Sequence, residues 1–362
     1  MEKVDIKEIF GNKKVFVTGH TGFKGSWLIC WLYQLGAHIK GYALSPEKDD
    51  LYNLVNGDAI CNSVIADIRD EDRLKNELLD CQPDFIFHLA AQPIVRQSYI
   101  LPNETFAVNV MGTANILNAL RSLDKPCVAV IVTTDKVYEN RETEDLYAEN
   151  DKLGGYDPYS ASKACAEIVV SSFRNSFFNA RNYQQHKKSI SSARAGNVIG
   201  GGDWAKDRII PDIVRSLITD QPILVRNPDA VRPWQHVLDS LSGYLMLAAS
   251  QSIDPIKYAD AFNFGPASND TKKVNDLVES AVKHWGKGVV SYDQEEQKLH
   301  EANLLRLDIS KANRVLGWQP RYNSDIAILK AIDWYKKFDQ RGRANAKELV
   351  INDILDYESK KL

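Results

Sequence analysis

The sequence lacks most of the features that would set it apart from ordinary globular enzymes. Its five cysteines are scattered and odd in number, with no Cys-x-x-Cys pair, which argues against a disulfide framework and against structural zinc. No apolar run approaches the roughly 18 residues that a membrane-spanning helix needs, and the amino terminus has no apolar signal core. The formal net charge of -3 indicates neither a basic nucleic-acid surface nor an acidic tail. We therefore expect a soluble, cytoplasmic protein with a small ligand, no nucleic-acid partner and no membrane contact.

Two further kinds of pattern are missing. No group of His, Cys, Asp and Glu has the spacing of metal ligands, so we predict no metal. The chain also shows no internal repeat and no low-complexity segment.

The first half of the chain alternates short β-rich runs with longer helical patterns. The predicted strands are 14–18, 38–44, 63–68, 85–89, 127–133 and 189–194, and the predicted helices are 27–35, 71–79, 105–123 and 160–178. Such alternation is typical of βαβ units and a parallel sheet covered on both faces. We therefore predict an α/β fold with a Rossmann-type, doubly wound parallel sheet.

The alternation stops after residue 194, where glycine, proline and charged residues become frequent. A length of 362 residues favours about two domains. We predict a Rossmann domain over 1–198, to which segments near 230–265 return, including a strand at 261–264. A smaller, discontinuous C-terminal substrate-binding domain would take 199–229, with a short helix at 211–217, and 266–345. Residues 346–362 would form a surface helix or a tail.

A glycine turn follows the first predicted strand. Gly19, Gly22 and Gly25 open the next helix, where glycines allow a tight turn and bring the backbone close to a pyrophosphate at the helix N-terminus. The spacing Gly-x-x-Gly-x-x-Gly differs from the common Gly-x-Gly-x-x-Gly fingerprint. The turn predicts dinucleotide binding, and a turn needed only for packing is the alternative.

The acid expected at the end of the second strand is missing. Residues 41–46 contain neither an Asp or Glu for the ribose 2′-hydroxyl nor an Arg for a 2′-phosphate, so NAD has only weak local support over NADP. Asp67, at the end of the third strand, is a candidate acceptor for the adenine amino group. Its alternative role is in capping the following helix.

Tyr159 and Lys163 stand four residues apart at the start of a predicted helix. Residues i and i+4 share one helix face, so we expect the ammonium of Lys163 to lie near the phenol of Tyr159 and to lower its pKa. A phenol with a lowered pKa can take a proton from a sugar hydroxyl. This pair therefore predicts a general base.

Thr134, Asp135 and Lys136 follow the fifth strand, at the carboxyl edge of the sheet where α/β proteins bind ligands. A hydroxyl, an acid and an ammonium in one place suit proton transfer. Taken alone, the Asp-Lys pair is more often a solvated salt bridge. Thr134 could likewise be a strand-end hydroxyl bonded to the backbone.

Taken together, these motifs resemble the extended short-chain dehydrogenase/reductase family, and within it the nucleotide-sugar 4,6-dehydratase branch. The resemblance covers nearly the whole chain. The stretches that carry it are Val17 to Trp27, His88 to Gln92, Thr133 to Tyr138, Tyr159 to Lys163, Arg194 to Trp204 and Arg232 to Val237. Gly-His-Thr-Gly-Phe-Lys-Gly-Ser-Trp and Gly-Gly-Gly-Asp-Trp are typical of this branch rather than of epimerases or decarboxylases.

The resemblance implies an internal redox cycle with bound NAD and CDP-D-glucose as substrate. Tyr159, assisted by Lys163, would take the 4-hydroxyl proton while hydride leaves C4, and Thr134 would bond the 4-oxygen. A base would then remove the C5 proton, Asp135 would protonate the departing 6-hydroxyl, and hydride would return to C6. The product would be CDP-4-dehydro-6-deoxy-D-glucose.

One residue departs from the better-known members of the branch, which have Asp-Glu where this chain has Asp135-Lys136. Lys136 is the candidate C5 base. It could act only if burial or a cationic neighbour lowered its pKa from about 10.4 towards neutrality.

The resemblance also implies which residues bind the two ligands. Those implied for the cofactor are Gly19, Thr21, Gly22, Phe23, Lys24, Gly25, Asp67, Ile68, Leu89, Ala90, Ala91, Gln92, Asn109, Thr133, Tyr159 and Lys163. Those implied for the substrate are Thr134, Asn197, Arg208, Arg232 and Arg306. Arg suits diphosphate because its planar fork bonds two oxygens at once.

Two other functions remain open. One is a 4-epimerase, or a 4,6-dehydratase that acts on a dTDP-, UDP- or GDP-hexose. Asp135-Lys136 argues against the epimerase, which needs no acid beside a C5 base. The other is a regulatory or scaffold protein that binds the cofactor without turnover, which the intact Tyr159, Lys163 and Asp135 disfavour.

The resemblance finally implies an assembly and a pathway. The chain would form a homodimer or homotetramer through helices 105–123 and 160–178. Its product would feed dideoxyhexose biosynthesis for surface polysaccharide such as lipopolysaccharide O-antigen.

Overall fold

The computed structural model describes residues 5–292 and 305–360. The strands are β1 (Lys14–Thr18), β2 (His38–Ala43), β3 (Asn62–Ile65), β4 (Phe85–His88), β5 (Cys127–Thr133), β6 (Lys188–Ala195), β7 (Val198–Ile199), β8 (Ile223–Val225), β9 (Val231–Arg232), β10 (Gln235–His236), β11 (Ala261–Phe264), β12 (Lys272–Lys273) and β13 (Val290–Tyr292). The helices are α1 (Ile6–Phe10), α2 (Phe23–Gln34), α3 (Leu51–Leu54), α4 (Glu71–Cys81), α5 (Val95–Ile100), α6 (Pro102–Phe106), α7 (Gly112–Arg121), α8 (Pro158–Ser176), α9 (Tyr183–His186), α10 (Ile209–Ile218), α11 (Val237–Ile253), α12 (Val274–Trp285), α13 (Ser324–Arg341) and α14 (Ala346–Ser359).

Seven strands form one central sheet in the order β11-β6-β5-β4-β1-β2-β3. Every neighbouring pair in it is parallel. The sheet is covered on both faces except at its edge strand β3: Val15 and Val17 belong to one hydrophobic cluster, whereas Phe16 between them belongs to the other. The predicted doubly wound parallel sheet is confirmed, because the order reverses on either side of β1 and β4.

Parallel pairing brings the carboxyl ends of the strands to one edge of the sheet. Thr18 pairs with His88, and Thr133 pairs with Arg194, so β1, β4, β5 and β6 end side by side. The glycine turn, the Thr-Asp-Lys segment and the segment after β6 all start from this edge.

Two predicted helices differ from those observed by more than two residues at a boundary. The first begins at Phe23 rather than at residue 27, because Gly22 already has the extended backbone of an N-cap. The predicted helix 105–123 is three elements: α6, which Pro102 opens, a π-helical turn at Ala107–Met111, and α7. A π turn accommodates one extra residue per turn, which a period of 3.6 does not predict.

The later part of the chain leaves the sheet and returns to it. After β6 it forms the short pairs β7 with β10, β8 with β13 and β9 with β12. It comes back through α11, and β11 pairs with β6 at the edge of the central sheet. This excursion supports the predicted discontinuous second domain, whose boundaries stay a prediction.

The carboxyl-terminal residues up to Ser359 form a helix rather than a tail. The α14 helix packs on α2, where Trp31 Nε1 donates a 2.8 Å hydrogen bond to Glu358 and the ring of Trp31 meets Tyr357 edge-on. Throughout residues 5–292 and 305–360, no helix combines the length and the hydropathy needed to cross a membrane.

Candidate active site

A cleft of about 790 Å³ lies along the carboxyl edge of the sheet. It reaches from the end of β2, past the glycine turn and the end of β5, to α10 and β8. All the predicted site residues line this cleft except Gln92, Asn109 and Arg306. Residues far apart in the sequence are therefore brought to one cavity, and their individual roles stay predictions.

The glycine turn is shaped to bring the backbone close to a ligand. Gly19 has a φ of +73°, and a Cβ there would lie 2.7 Å from the backbone nitrogen of Ala90. A Cβ on Gly25 would lie 2.1 Å from the carbonyl oxygen of Gly19. Among residues 5–292 and 305–360, no side chain caps the amino end of α2, so the N–H groups of its first turn can meet a bound anion. These features fit the pyrophosphate of a dinucleotide.

The end of the cleft that follows β3 carries an ion pair. The carboxylate of Asp67 accepts hydrogen bonds from Arg69 Nε at 3.0 Å and from Arg69 Nη2 at 2.5 Å. These bonds hold the pKa of Asp67 below its usual range. Asp67 is thus ionised at the cleft rim, and an adenine amino group would share it with Arg69.

Gln92 and Asn109 lie behind the cleft wall and support it. Asn109 Oδ1 accepts from the backbone N–H of Gln92 at 2.8 Å, and Asn109 Nδ2 donates to Ser162 Oγ at 2.8 Å. Ser162 Oγ in turn donates to the carbonyl of Tyr159 at 2.7 Å. Asn109, in the π turn, therefore joins the β4 loop to the start of α8.

Tyr159 and Lys163 project from the first two turns of α8, which Asp157 caps by accepting from the N–H of Ser160 at 2.9 Å. Lys163 Nζ donates to the carbonyl oxygen of Val132 at 3.0 Å. Burial lowers the pKa of Lys163 to about 8, and the charge of Glu167 partly offsets this effect.

The expectation that Lys163 lowers the pKa of the Tyr159 phenol is wrong. Burial raises the pKa of Tyr159 to about 12. A hydrogen bond with Thr134 and the charge of Arg208 act in the opposite direction. Sequence spacing placed the two residues on one face of α8, but it carries no information on how far the phenol is desolvated.

Thr134 and Asp135 are held beside this pair. Thr134 Oγ1 donates to Asp135 Oδ1 at 2.9 Å, and Asn197 Nδ2 donates to Asp135 Oδ2 at 3.3 Å. Asp135 is 2% exposed and lies directly against Gly196, where a Cβ would come within 2.0 Å of its Cγ. The glycine therefore makes the space that the carboxylate occupies.

Lys24 is the lysine of the cleft with the most perturbed pKa. Its pKa is lowered to about 7, chiefly by burial and also by the charges of Arg208 and Lys163, against the opposing charge of Asp135. Its Nζ donates to Tyr244 OH at 3.4 Å. A lysine can act as a base only if its pKa is lowered towards neutrality, and Lys24, a residue predicted for cofactor binding, meets this condition.

The predicted substrate arginines lie in different places. Arg208 lines the cleft and pairs with Asp203 at 2.8 Å, and Arg232 lines it from β9. Arg306 lies outside the cleft, beside a small cavity on another side of Asp135, and it donates to the carbonyl of Ser268. A diphosphate in the large cleft would thus meet Arg208 and Arg232 before Arg306.

Two buried acids were missed by sequence reasoning. Asp203 anchors Arg208, and Glu167 lies below the end of β5, bonded to Thr133. The signal for Glu167 was present, because Tyr159, Lys163 and Glu167 follow one another at intervals of four and so share one helix face.

The chain was compared with known proteins by sequence and by structure. A protein of Salmonella typhimurium named CDP-glucose 4,6-dehydratase is 48% identical over 331 residues, which cover 91% of this chain and 92% of that protein. A Neisseria gonorrhoeae protein named dTDP-glucose 4,6-dehydratase is 23% identical, over 90% of this chain and 96% of its own length.

Solved structures share the fold at lower sequence identity. DesIV from Streptomyces venezuelae, a dTDP-glucose 4,6-dehydratase solved with NAD and DAU bound, has a TM-score of 0.75 and 23% identity, covering 91% of this chain and 98% of that one. MoeE5 in complex with UDP-glucose and NAD has a TM-score of 0.74 and 23% identity, covering 90% and 99%. The family model described as GDP-mannose 4,6 dehydratase matches residues 16–330, most of the chain, and the protein belongs to that family.

Proposed function

We propose that the protein dehydrates CDP-D-glucose to CDP-4-dehydro-6-deoxy-D-glucose with bound NAD. The observation that carries the proposal is the convergence of a phenol, a hydroxyl and a carboxylic acid: Thr134 hydrogen-bonds to Tyr159 and to Asp135 in one cleft. The choice of CDP-D-glucose is supported by 48% identity to a protein named for that substrate.

The cofactor would be held by the glycine turn, by Asp67 at the adenine end and by Tyr159 and Lys163 at the reacting end. NAD, when bound, supplies the acceptor for a hydride from C4 and the donor that returns it to C6. The close backbone approach at Gly19 and Gly25 and the uncapped start of α2 support this placement.

Tyr159 acts as the base for the first step, in which the 4-hydroxyl loses its proton. Because burial raises the pKa of the phenol to about 12, its ionised form depends on the groups that favour it, the hydroxyl of Thr134 and the charge of Arg208. Removal of the 4-hydroxyl proton leaves an oxygen that Thr134 can then bond. Loss of this proton together with hydride from C4 would give a ketone, which acidifies the proton on C5 so that elimination can follow.

In the second step, Asp135 donates a proton to the 6-hydroxyl, which leaves as water, and a base takes the C5 proton. We assign the base to Lys136, whose side chain lines the cleft next to Asp135. Lys24, whose pKa is lowered to about 7, is the second candidate.

The Lys136→Met and Lys24→Met variants distinguish the two lysines when CDP-D-4-keto-glucose is incubated with each variant in deuterated water. Loss of C5 exchange in the Lys136 variant alone supports the assignment, and loss in the Lys24 variant alone moves the base to Lys24.

We also propose that the protein pairs with a second copy of itself. The outer surface of the π turn and of α8 leaves apolar side chains in solvent, with Met111 55% exposed, Ile168 57% and Phe177 44%. Such apolar side chains on neighbouring helices are typical of a helix-bundle interface.

The proposed location of the protein is the cytoplasm, and the proposed pathway is the synthesis of dideoxyhexoses.

The proposal is tested with purified protein, NAD and four separate substrates, CDP-, dTDP-, UDP- and GDP-hexoses. Formation of a 4-keto-6-deoxy sugar is followed by its alkali-induced absorbance, and loss of water is confirmed by mass. Product from CDP-glucose alone supports both reaction and substrate. Product from another nucleotide alone overturns the substrate, whereas a C4 epimer of unchanged mass overturns the reaction.

A further inference from the structure

Glu167 is a buried acid just outside the proposed catalytic cleft. Its side chain is 3% exposed, and it lies one helical turn beyond Lys163 on α8. Glu167 Oε1 accepts from Thr133 Oγ1 at 2.5 Å, and Oε2 accepts from Ser192 Oγ and Arg194 Nη2, both at 2.8 Å. One carboxylate thus joins α8 to both β5 and β6.

Two contacts fix α8 against the end of β5. Lys163 donates to the carbonyl of Val132, and Thr133 donates to Glu167, so neighbouring strand residues meet helix residues one turn apart. A slide or rotation of the helix would break both contacts together. Because Thr134 follows Thr133 directly in the chain, this double tie also fixes the distance between the α8 face and the proposed acid-base segment.

The charge of Glu167 acts on Lys163. Burial lowers the pKa of Lys163, and Glu167 raises it. Glu167 itself stays ionised: burial would raise its pKa, but Arg194 and the hydrogen bonds from Thr133 and Ser192 bring the pKa below its usual value. The negative charge next to the buried ammonium is therefore a fixed one.

The other titratable groups that face Lys163 cannot replace this charge. Lys24 on α2 carries a charge of the same sign as Lys163. His88 on β4 is neutral, since burial lowers its pKa to about 3. Tyr159, on the same helix, has a pKa raised to about 12 and is mostly un-ionised in the protein without ligands.

We propose that Glu167 is a positioning residue for the oxidation step. Glu167 keeps Lys163 in its charged form and holds α8 in register with the catalytic end of β5. It touches neither the cleft nor the reacting atoms, and it acts through Lys163 and Thr133. This inference rests on the proposed function for its kinetic consequence, but its electrostatic consequence can be measured in the protein alone.

The direct test is an NMR titration of the protein labelled with ¹³C at the lysine ε-carbons, with the Lys163 signal assigned by its absence in Lys163→Met. In Glu167→Gln, which keeps the shape and loses the charge, the midpoint of Lys163 should fall by about one pH unit. In Ser192→Ala, which removes one hydrogen bond to the same carboxylate and leaves its charge, the midpoint should stay. Equal midpoints in Glu167→Gln and the wild type would overturn the inference.

Because Glu167→Gln leaves the guanidinium of Arg194 buried without its charged partner, the single variant could fail to fold. The double variant Glu167→Gln/Arg194→Gln removes both charges. The Arg194→Gln single variant reports what loss of the guanidinium alone does to Lys163, so the midpoint should be lower in the double variant than in Arg194→Gln. Equal midpoints in these two variants would show that the carboxylate has no electrostatic effect of its own, and would overturn the inference.

The kinetic test follows reduction of bound NAD by CDP-D-glucose in a single turnover across a range of pH. The alkaline limb of the rate should move to lower pH in Glu167→Gln and stay in Ser192→Ala, with KM changed by less than about twofold because Glu167 lies outside the cleft. A uniform loss of rate at every pH would leave only a structural role. If no nucleotide sugar reduces the cofactor in the wild type, the proposed function fails while the titration still decides the inference.

Discussion

Adding a single methyl group at Gly196 should slow elimination and leave oxidation intact. In Gly196→Ala the new methyl carbon would lie 2.0 Å from Asp135 Cγ and 2.1 Å from each carboxylate oxygen. Ordinary contact between carbon atoms begins near 3.5 Å, so the carboxylate must move by about 1.5 Å. The short Asp135 side chain can do so only by rotating away from its partners or by moving its backbone.

The magnitude follows from the contacts that this movement breaks. Asp135 would lose the 2.9 Å bond from Thr134 and the 3.3 Å bond from Asn197. Because Asp135 is proposed to act as an acid, we count each bond as a neutral hydrogen bond of about 0.5–1.5 kcal/mol, and we expect the free energy of unfolding to fall by about 2 kcal/mol. A catalytic group displaced by about 1 Å typically costs 100-fold in rate, so elimination should slow by at least about that factor.

The assay is a single turnover with CDP-D-glucose and NAD, followed by the absorbance of the reduced nicotinamide and by the mass of the quenched sugar. Gly196→Ala should still reduce the cofactor and accumulate the 4-keto sugar that has not lost water. Gly265→Ala is the matched control, because a Cβ there meets nothing closer than Leu307 at 3.7 Å beside the same small cavity. Wild-type elimination in Gly196→Ala, or equal losses in both variants, would refute the reasoning.

Three other changes test separate parts of the structure. Asp135→Asn should spare reduction of the cofactor and cripple loss of water, and equal loss of both steps would count against Asp135 as the acid. Burial lowers the pKa of His88 to about 3 in the folded protein. Below about pH 6.5, His88 is therefore protonated in the unfolded chain but stays neutral in the folded one. As the pH drops below 6.5, the free energy of unfolding of the wild type should therefore fall relative to that of His88→Asn by about 1.4 kcal/mol per pH unit. Urea titrations at a series of pH values measure this, and parallel plots of the free energy of unfolding against pH for the two proteins would contradict it. Ile168→Glu should yield monomers in light scattering, whereas Ile253→Glu, at a comparably exposed site on α11, should not.

Much of the fold could be predicted because buried parallel strands and amphipathic helices leave different periods in a sequence. The strand Ala261–Phe264 was predicted with its observed bounds, and α10 extends its predicted range by only a residue or two at each end. The division of 105–123 into α6, a π turn and α7 was not predicted, because a π turn changes hydrogen bonding without changing which residues are apolar.

The cleft residues could be predicted from motifs because the carboxyl ends of parallel strands must meet. Their electrostatics could not, because desolvation depends on the atoms of other segments that cover each group. This is why the sequence suggested an acidified phenol at Tyr159 although burial raises its pKa to about 12, and why it did not reveal that the pKa of Lys24 is lowered to about 7. The position of Arg306 could not be predicted either. Its charge suited a diphosphate, but the fold places it beside another cavity.

The late return of β11 has a consequence for synthesis of the protein on the ribosome. Eight residues of β6 are buried in the finished fold, and one hydrogen-bonding edge of that strand is covered only by β11. Until residue 264 has left the ribosomal exit tunnel, β6 presents an open edge of the kind that pairs with other chains. The nascent protein therefore depends, while about 70 further residues from Ala195 to Phe264 are translated, on slow folding of its first half or on a chaperone that shields this edge.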